Sequence, residues 1–89
     1  MKGMGLDVER RVREILGEAL ELPPERLQTL GRESALLGAV PELDSMGVLA
    51  VIHLLEERFD FIIGDDEIDG TTFATLGSLI DFVAEKLGD

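Results

Sequence analysis

The chain has 89 residues, enough for one small domain spanning 1–89, and 45% of them are apolar, enough to give that domain a core. Nineteen acids against eight bases leave a net charge of −11, which argues against nucleic acid or an anionic membrane as partner and favours basic protein surfaces. The absence of cysteine rules out disulfides and thiolate ligands, and no apolar run approaches the ~18 residues of a membrane span.

Met1 to Gly5 carries one lysine and no apolar stretch. It is expected to be flexible, it does not read as a signal peptide, and the expected compartment is the cytoplasm. A first helix is predicted from about Asp7 to Leu20, with Asp7 as N-cap and Val8, Val12, Ile15, Leu16 and Ala19 as its buried face. Gly17 would cost roughly 1 kcal/mol relative to alanine in an exposed helix interior. Pro23 and Pro24 end the helix, because proline removes a donor and biases the residue before it away from helix.

Pro23 to Leu43 is a connection of 21 residues, longer than structureless loops usually run. Leu27, Leu30, Leu36, Leu37, Val40 and Leu43 are spaced to anchor it, and residues 24–27 suit a helical turn.

The second long helix is predicted over about Ser45 to Arg58. Asp44 is placed to cap it, so Ser45 falls in its first turn, beside backbone N–H groups that have no helical acceptor. That end favours an anion, so a phosphate on Ser45 Oγ would be well placed. Val48, Val51, Ile52, Leu55 and Phe59 recur at helical spacing and form the core face. Met46, Ala50, His53 and Glu57 lie opposite, flanked by Leu49 and Glu56. Apolar residues ringed by carboxylates on an outer face suit docking.

Phe61 to Ile63 is too short a run to separate strand from packed loop. Residues 65–70 suggest a short acidic helical turn. Asp65, Glu67, Asp69 and Gly70 imitate the start of a calcium-binding EF-hand loop, but position twelve would be Leu76 where a glutamate is needed, so no metal site is expected. Thr75 is placed to cap the last helix, about Leu76 to Leu87. Its buried stripe is Leu76, Leu79, Ile80, Val83 and Leu87, with Phe82 at the edge. The fold class is all-α: a small four-helix bundle of three main helices and one short one, with a long first loop.

No catalytic residue is expected. The single histidine, His53, lies eight residues from Ser45, or ~12 Å along a helix, beyond reach as a base within one molecule.

The stretch Leu43-Asp44-Ser45-Met46 opening an apolar helix, with Leu55-Glu56-Glu57-Arg58-Phe59 at its end, resembles the acyl carrier proteins over roughly Val8 to Leu87. The resemblance implies a 4'-phosphopantetheine arm from coenzyme A on Ser45, with Asp44 as motif neighbour. It also implies a partner face of Met46, Leu49, Ala50, His53, Glu56 and Glu57. The implied partners are a phosphopantetheinyl transferase and acyl-activating or acyl-transferring enzymes with basic surfaces, meeting a monomer. An acyl cavity lined by Val48, Val51, Ile52, Leu55, Ile68, Leu79 and Ile80 is implied too.

Housekeeping fatty-acid carriers have acids at the positions of Gly47 and Ala50, so the neutral residues in this chain point to a specialised pathway. Residues 36–46, 56–59 and 65–68 are similar to carriers of exosortase and exopolysaccharide systems. Two alternatives stay open. Leu43 to Gly47 also resembles aminoacyl carriers of the D-alanyl or peptidyl kind, although residues 72–76 fit them less well. An acidic helical interaction module without a prosthetic group is the other.

Overall fold

A computed structural model of the chain describes residues 4–88. In it, α1 spans Met4–Leu20, α2 Pro24–Gln28, α3 Ser45–Phe59 and α4 Leu76–Lys86, with a 3-10 turn at Asp65–Glu67 between α3 and α4. The hub is α1. It packs against α2, α3 and α4, whereas the backbones of α3 and α4 do not approach each other closely. These are the expected three main helices and one short one, and the acidic helical turn expected within residues 65–70 is the 3-10 turn.

The first helix begins earlier than Asp7. Met4 and Gly5 are helical, and of the segment expected to be flexible, residues 1–3 lie outside the described residues. Asp7 is therefore not an N-cap. It sits in the first turn, where an acid is favoured, and its Oδ1 accepts from Arg10 Nη2 at 2.9 Å.

The helix ends before the prolines act. Glu21 takes the left-handed conformation (φ 56°), and the Leu22 N–H donates to Gly17 O at 3.0 Å, the back-bond of a Schellman-type terminus. Pro23 and Pro24 then start α2, with Pro24 at its first position, where a missing N–H costs nothing. Asp60 ends α3 in the same left-handed way (φ 57°).

The core holds Val8, Val12, Ile15, Leu16, Leu20 and Leu22 from the α1 region. Val51, Leu55 and Phe59 join from α3, and Leu76, Leu79, Ile80 and Val83 from α4. Ala19, Val48, Ile52, Phe82 and Leu87 are partly buried at its edges. At the far end of α3, Phe59 and Phe61 stack at 5.7 Å, Arg11 covers the Phe59 ring at 4.3 Å, and Arg11 Nη2 donates to Arg58 O at 2.7 Å. That places a cation on the negative end of the helix dipole.

The long first connection is held as firmly as a strand. Leu36 and Leu37 donate to Ala74 O and Phe73 O at 2.9 and 3.0 Å, and Leu76 donates to Ser34 O at 3.0 Å. A single antiparallel bridge pairs Ala35 with Thr75. Leu36, Val40 and Leu43 are buried anchors and Leu27 and Leu30 pack on the rim. Leu37 is not an anchor: it is 47% exposed, because its neighbour Leu36 takes the inward position.

Three helix glycines mark where this connection presses on the bundle. A Cβ at Gly17 would meet Leu27 Cδ1 at 2.6 Å, one at Gly77 would meet Arg32 O at 2.8 Å, and one at Gly47 would meet Glu42 O at 2.3 Å. Gly17 is thus no gratuitous cost in an exposed helix face; it seats the Leu27 side chain.

Thr75 caps α4 as expected. Its Oγ1 accepts from the Ser78 N–H at 3.1 Å, and Ser78 Oγ accepts from the Thr75 N–H at 3.1 Å. Phe61 to Ile63 forms no strand; Ile63 is buried and Ile62 is 81% exposed.

Candidate functional site

The start of α3 is a rigid corner. Asp44 has extended backbone, and its Oδ1 accepts from the Gly47 N–H at 2.9 Å. Its main-chain carbonyl accepts from the Val48 N–H at 2.8 Å, the first bond of the helix. Ser45, the first helical residue, is exposed. The N–H groups of Ser45 and Met46 have no acceptor within the helix.

The approach to this corner is fixed from three sides. Leu43 is buried and donates to Val40 O at 2.9 Å. Glu42 Oε2 accepts from Arg26 Nη1 at 2.5 Å, tying α2 to the residues before Ser45. That guanidinium holds the Glu42 carboxyl below the usual glutamate range. The third constraint is Gly47, buried against the Glu42 carbonyl.

Gly47 overturns one expectation. Its neutrality is not a missing docking acid. An aspartate there would need room that the Glu42 backbone occupies, so the residue is dictated by packing, and it carries no information about a specialised partner. Ala50 is half-buried.

The expected partner face is a ridge between two recesses. Met46 is 74% exposed and Leu49 58%, and both His53 and Glu57 are exposed. Met46 and Ala50 border a groove against the end of α1. Leu49, Ile52, His53 and Glu56 border a cleft of about 250 Å³ closed on its other side by Ile63, Gly64 and Ile68. Glu56 has a structural bond as well as a place on the face. Its Oε2 accepts from the Ile63 N–H at 2.9 Å and pins the following loop to α3.

Of the seven residues expected around an acyl cavity, Ile52 and Ile68 border this cleft. Val51, Leu55, Leu79 and Ile80 are sealed in the core. The burial accords with α1 packing against both α3 and α4.

Two carboxylates of the acidic segment have partners. Glu67 Oε1 accepts from the Gly64 N–H at 2.9 Å and meets Lys86 Nζ at 2.8 Å, so its carboxyl is held below the usual range, with Lys86 the larger cause. Asp69 is held low by Thr71, whose hydroxyl and N–H donate to its Oδ1 at 2.6 and 3.0 Å. Among the described residues no group of three or more His, Asp or Glu side chains stands close enough to hold a metal ion. Among the described residues no helix is long and apolar enough to cross a membrane.

Arg26, Glu42 and Gly47 as supports of Ser45 were not evident in the sequence. The available signal was a glycine three residues past a helix cap, where no turn requires one.

A serine hydroxyl held out at a capped, anion-favouring helix start, on an acidic bundle, is the arrangement a phosphate-linked carrier domain requires. Comparison with known proteins agrees. The family model described as "phosphopantetheine attachment site" matches residues 10–83, and the chain belongs to that family. It is 34% identical over 82 residues to the acyl carrier protein of Phenylobacterium zucineum (strain HLK1), covering 92% of this chain and 96% of that one. It is 33% identical over 72 residues to that of Sulfurovum sp. (strain NBC37-1), covering 81% and 88%. The solution NMR structure of a holo acyl carrier protein from Nitrosomonas europaea superposes over 100% of both chains, with a TM-score of 0.82 and 53% identity.

The protein is therefore an acyl carrier and not an enzyme, with 4'-phosphopantetheine as its covalent group. When bound, that group supplies a thiol on which acyl chains are held as thioesters. Carriers of this family work with a phosphopantetheinyl transferase and acyl-handling enzymes, typically in fatty acid biosynthesis. The start of α3 fits a phosphate ester, since the unpaired N–H groups of its first turn favour negative charge.

Proposed function

We propose that Ser45 is the attachment residue and that the ridge of α3 is where partner enzymes dock. The observation behind this is the exposed Ser45 hydroxyl on a helix start that Asp44 caps and that Leu43 and Glu42 hold in place. In the transfer, an Oγ–phosphorus bond forms to the phosphopantetheinyl group of coenzyme A. The pyrophosphate bond breaks, adenosine 3',5'-bisphosphate leaves, and the serine proton is lost to a base of the transferase.

Met46 and Leu49 supply apolar contact near the arm, with Ala50 and His53 beside them. Glu56 and Glu57 add charge two to three turns away, which acts mainly on encounter rate. The carrier works as a monomer in the cytoplasm, where coenzyme A and basic-surfaced acyl enzymes meet it. Resemblance of residues 36–46 to carriers of exopolysaccharide systems supports a pathway of that specialised kind; the neutrality of Gly47 no longer does.

Incubation of the apo protein with coenzyme A and a phosphopantetheinyl transferase is expected to add one phosphopantetheine by intact mass, and Ser45→Ala none. Equal modification of the alanine variant would show that the arm sits elsewhere.

A further inference from the structure

The cleft between α3 and the loop after it lies on the same side of α3 as Ser45. Its α3 border is Leu49, Ile52, His53 and Glu56. At about 100° per residue, all four fall within about 80° of Ser45 around the helix axis. Leu49, one turn from the serine, is 58% exposed and leads to the mouth of the cleft. Two polar side chains stand on the α3 rim. Glu56 is committed to the Ile63 N–H at 2.9 Å, whereas the ring of His53 is exposed. His53 lies about 12 Å from Ser45 along the helix, too far to act on the serine itself. A phosphopantetheine arm closes that distance. Roughly thirteen bonds separate its phosphorus from its sulfur, and an extended chain gains about 1.1–1.2 Å per bond, so its reach is about 15 Å.

We infer that His53 is the residue that meets the sulfur end of the arm, and that its imidazole accepts the thiol proton. This rests on the proposed role of Ser45 and gives the far end of the arm a partner on the protein. Leu49 and Ile52 offer apolar contact to the arm's methyl and methylene groups on the way. In the proton transfer the S–H bond breaks, an N–H bond forms on the ring, and the electron pair stays on sulfur. Thiolate is the nucleophilic form of the group, and an adjacent imidazolium favours it. His53 thus keeps the unacylated carrier ready for an acyl donor, at a pH where a thiol in free solution is mostly protonated.

The chain has no cysteine and one histidine, so the loaded protein carries a single thiol and a single imidazole, and each can be followed alone. Wild type and His53→Gln are loaded with coenzyme A and a phosphopantetheinyl transferase, to completion by intact mass, then treated with iodoacetamide at about pH 7.5. The variant is expected to be alkylated about three- to fivefold more slowly, the size of an exposed ion pair. In denaturing urea, where the helix that aligns the two groups is lost, the two rates are expected to agree within about twofold. NMR of the wild type gives a second reading that needs no variant: the His53 ring signals are expected to shift when the arm is added and again when its thiol is alkylated. Equal rates in the folded proteins would overturn the proton transfer, and ring signals that ignore loading would overturn the contact; either result sinks the inference. A rate difference that persists in urea would assign it to charge nearby in the sequence and overturn it too. Loading of Ser45→Ala would instead move the arm itself, and only that result bears on the assignment of Ser45.

Discussion

Helix propensity alone says that Gly47→Ala should stabilise this protein, since glycine in a helix interior costs roughly 1 kcal/mol relative to alanine. The structure reverses the sign. The new methyl would lie 2.3 Å from Glu42 O and 2.9 Å from Leu20 Cδ2, where ordinary contact begins at 3.4 Å. The Glu42 carbonyl would have to retreat by about 1 Å. It is not free to do so, because Leu43 is a buried anchor on one side and the Glu42 side chain is tied to Arg26. Overpacking of this kind costs about 1–3 kcal/mol. The propensity gain offsets less than its full value, because position 47 lies in the first turn of α3.

The expected result is a net loss of about 1–2 kcal/mol, which for a domain of this size lowers the melting temperature by roughly 5–15 °C. Thermal melts followed by circular dichroism measure it. Gly31→Ala is the control, since a Cβ there meets nothing within 4 Å and its effect should stay within about 0.5 kcal/mol. A Gly47→Ala protein as stable as wild type would refute the close approach, and with it packing as the reason that glycine follows the motif.

Asp44→Ala removes the acceptor for the Gly47 N–H and should cost about 1 kcal/mol, seen as a lower denaturation midpoint with an unchanged slope. Glu67, held below its ordinary value of 4.5 chiefly by Lys86, gives stability that is present above that value and is lost as pH falls through its lower folded-state pKa. Lys86→Met should therefore raise the Glu67 pKa in an NMR titration and flatten the acid limb of the stability curve, and an unmoved pKa would remove Lys86 as the cause.

Periodicity located the three long helices because each buries a stripe against a common core, and burial is what periodic sequence records. The caps at Asp44 and Thr75 were legible for a similar reason: one side chain satisfies donors three residues away. The start at Met4 was not, because the polar Asp7 reads equally as a cap or as a first-turn acid until the preceding backbone is seen. Leu37 shows the limit within loops. Nothing in an apolar pair tells which member points inward; hydrogen bonds to Phe73 and Ala74, some thirty-five residues away, decide it. Gly77 was opaque for a similar reason: it is a glycine because the backbone of Arg32, far away in the chain, lies against the helix, whereas Gly47 meets the carbonyl of nearby Glu42.

This changes how the neutral start of α3 bears on partner choice. An acid missing from an exposed position would be a choice about partners, open to selection by binding alone. Gly47 is not exposed, and replacing it would move the residues that hold Ser45, so partner preference and the placement of Ser45 are coupled at that residue. On the proposed docking ridge, the positions free to tune recognition are those whose side chains leave the fold untouched: Met46 and Leu49, with His53 and Glu57 beyond them. Glu42 is not among them. It holds Arg26, so a substitution there disturbs the geometry of Ser45.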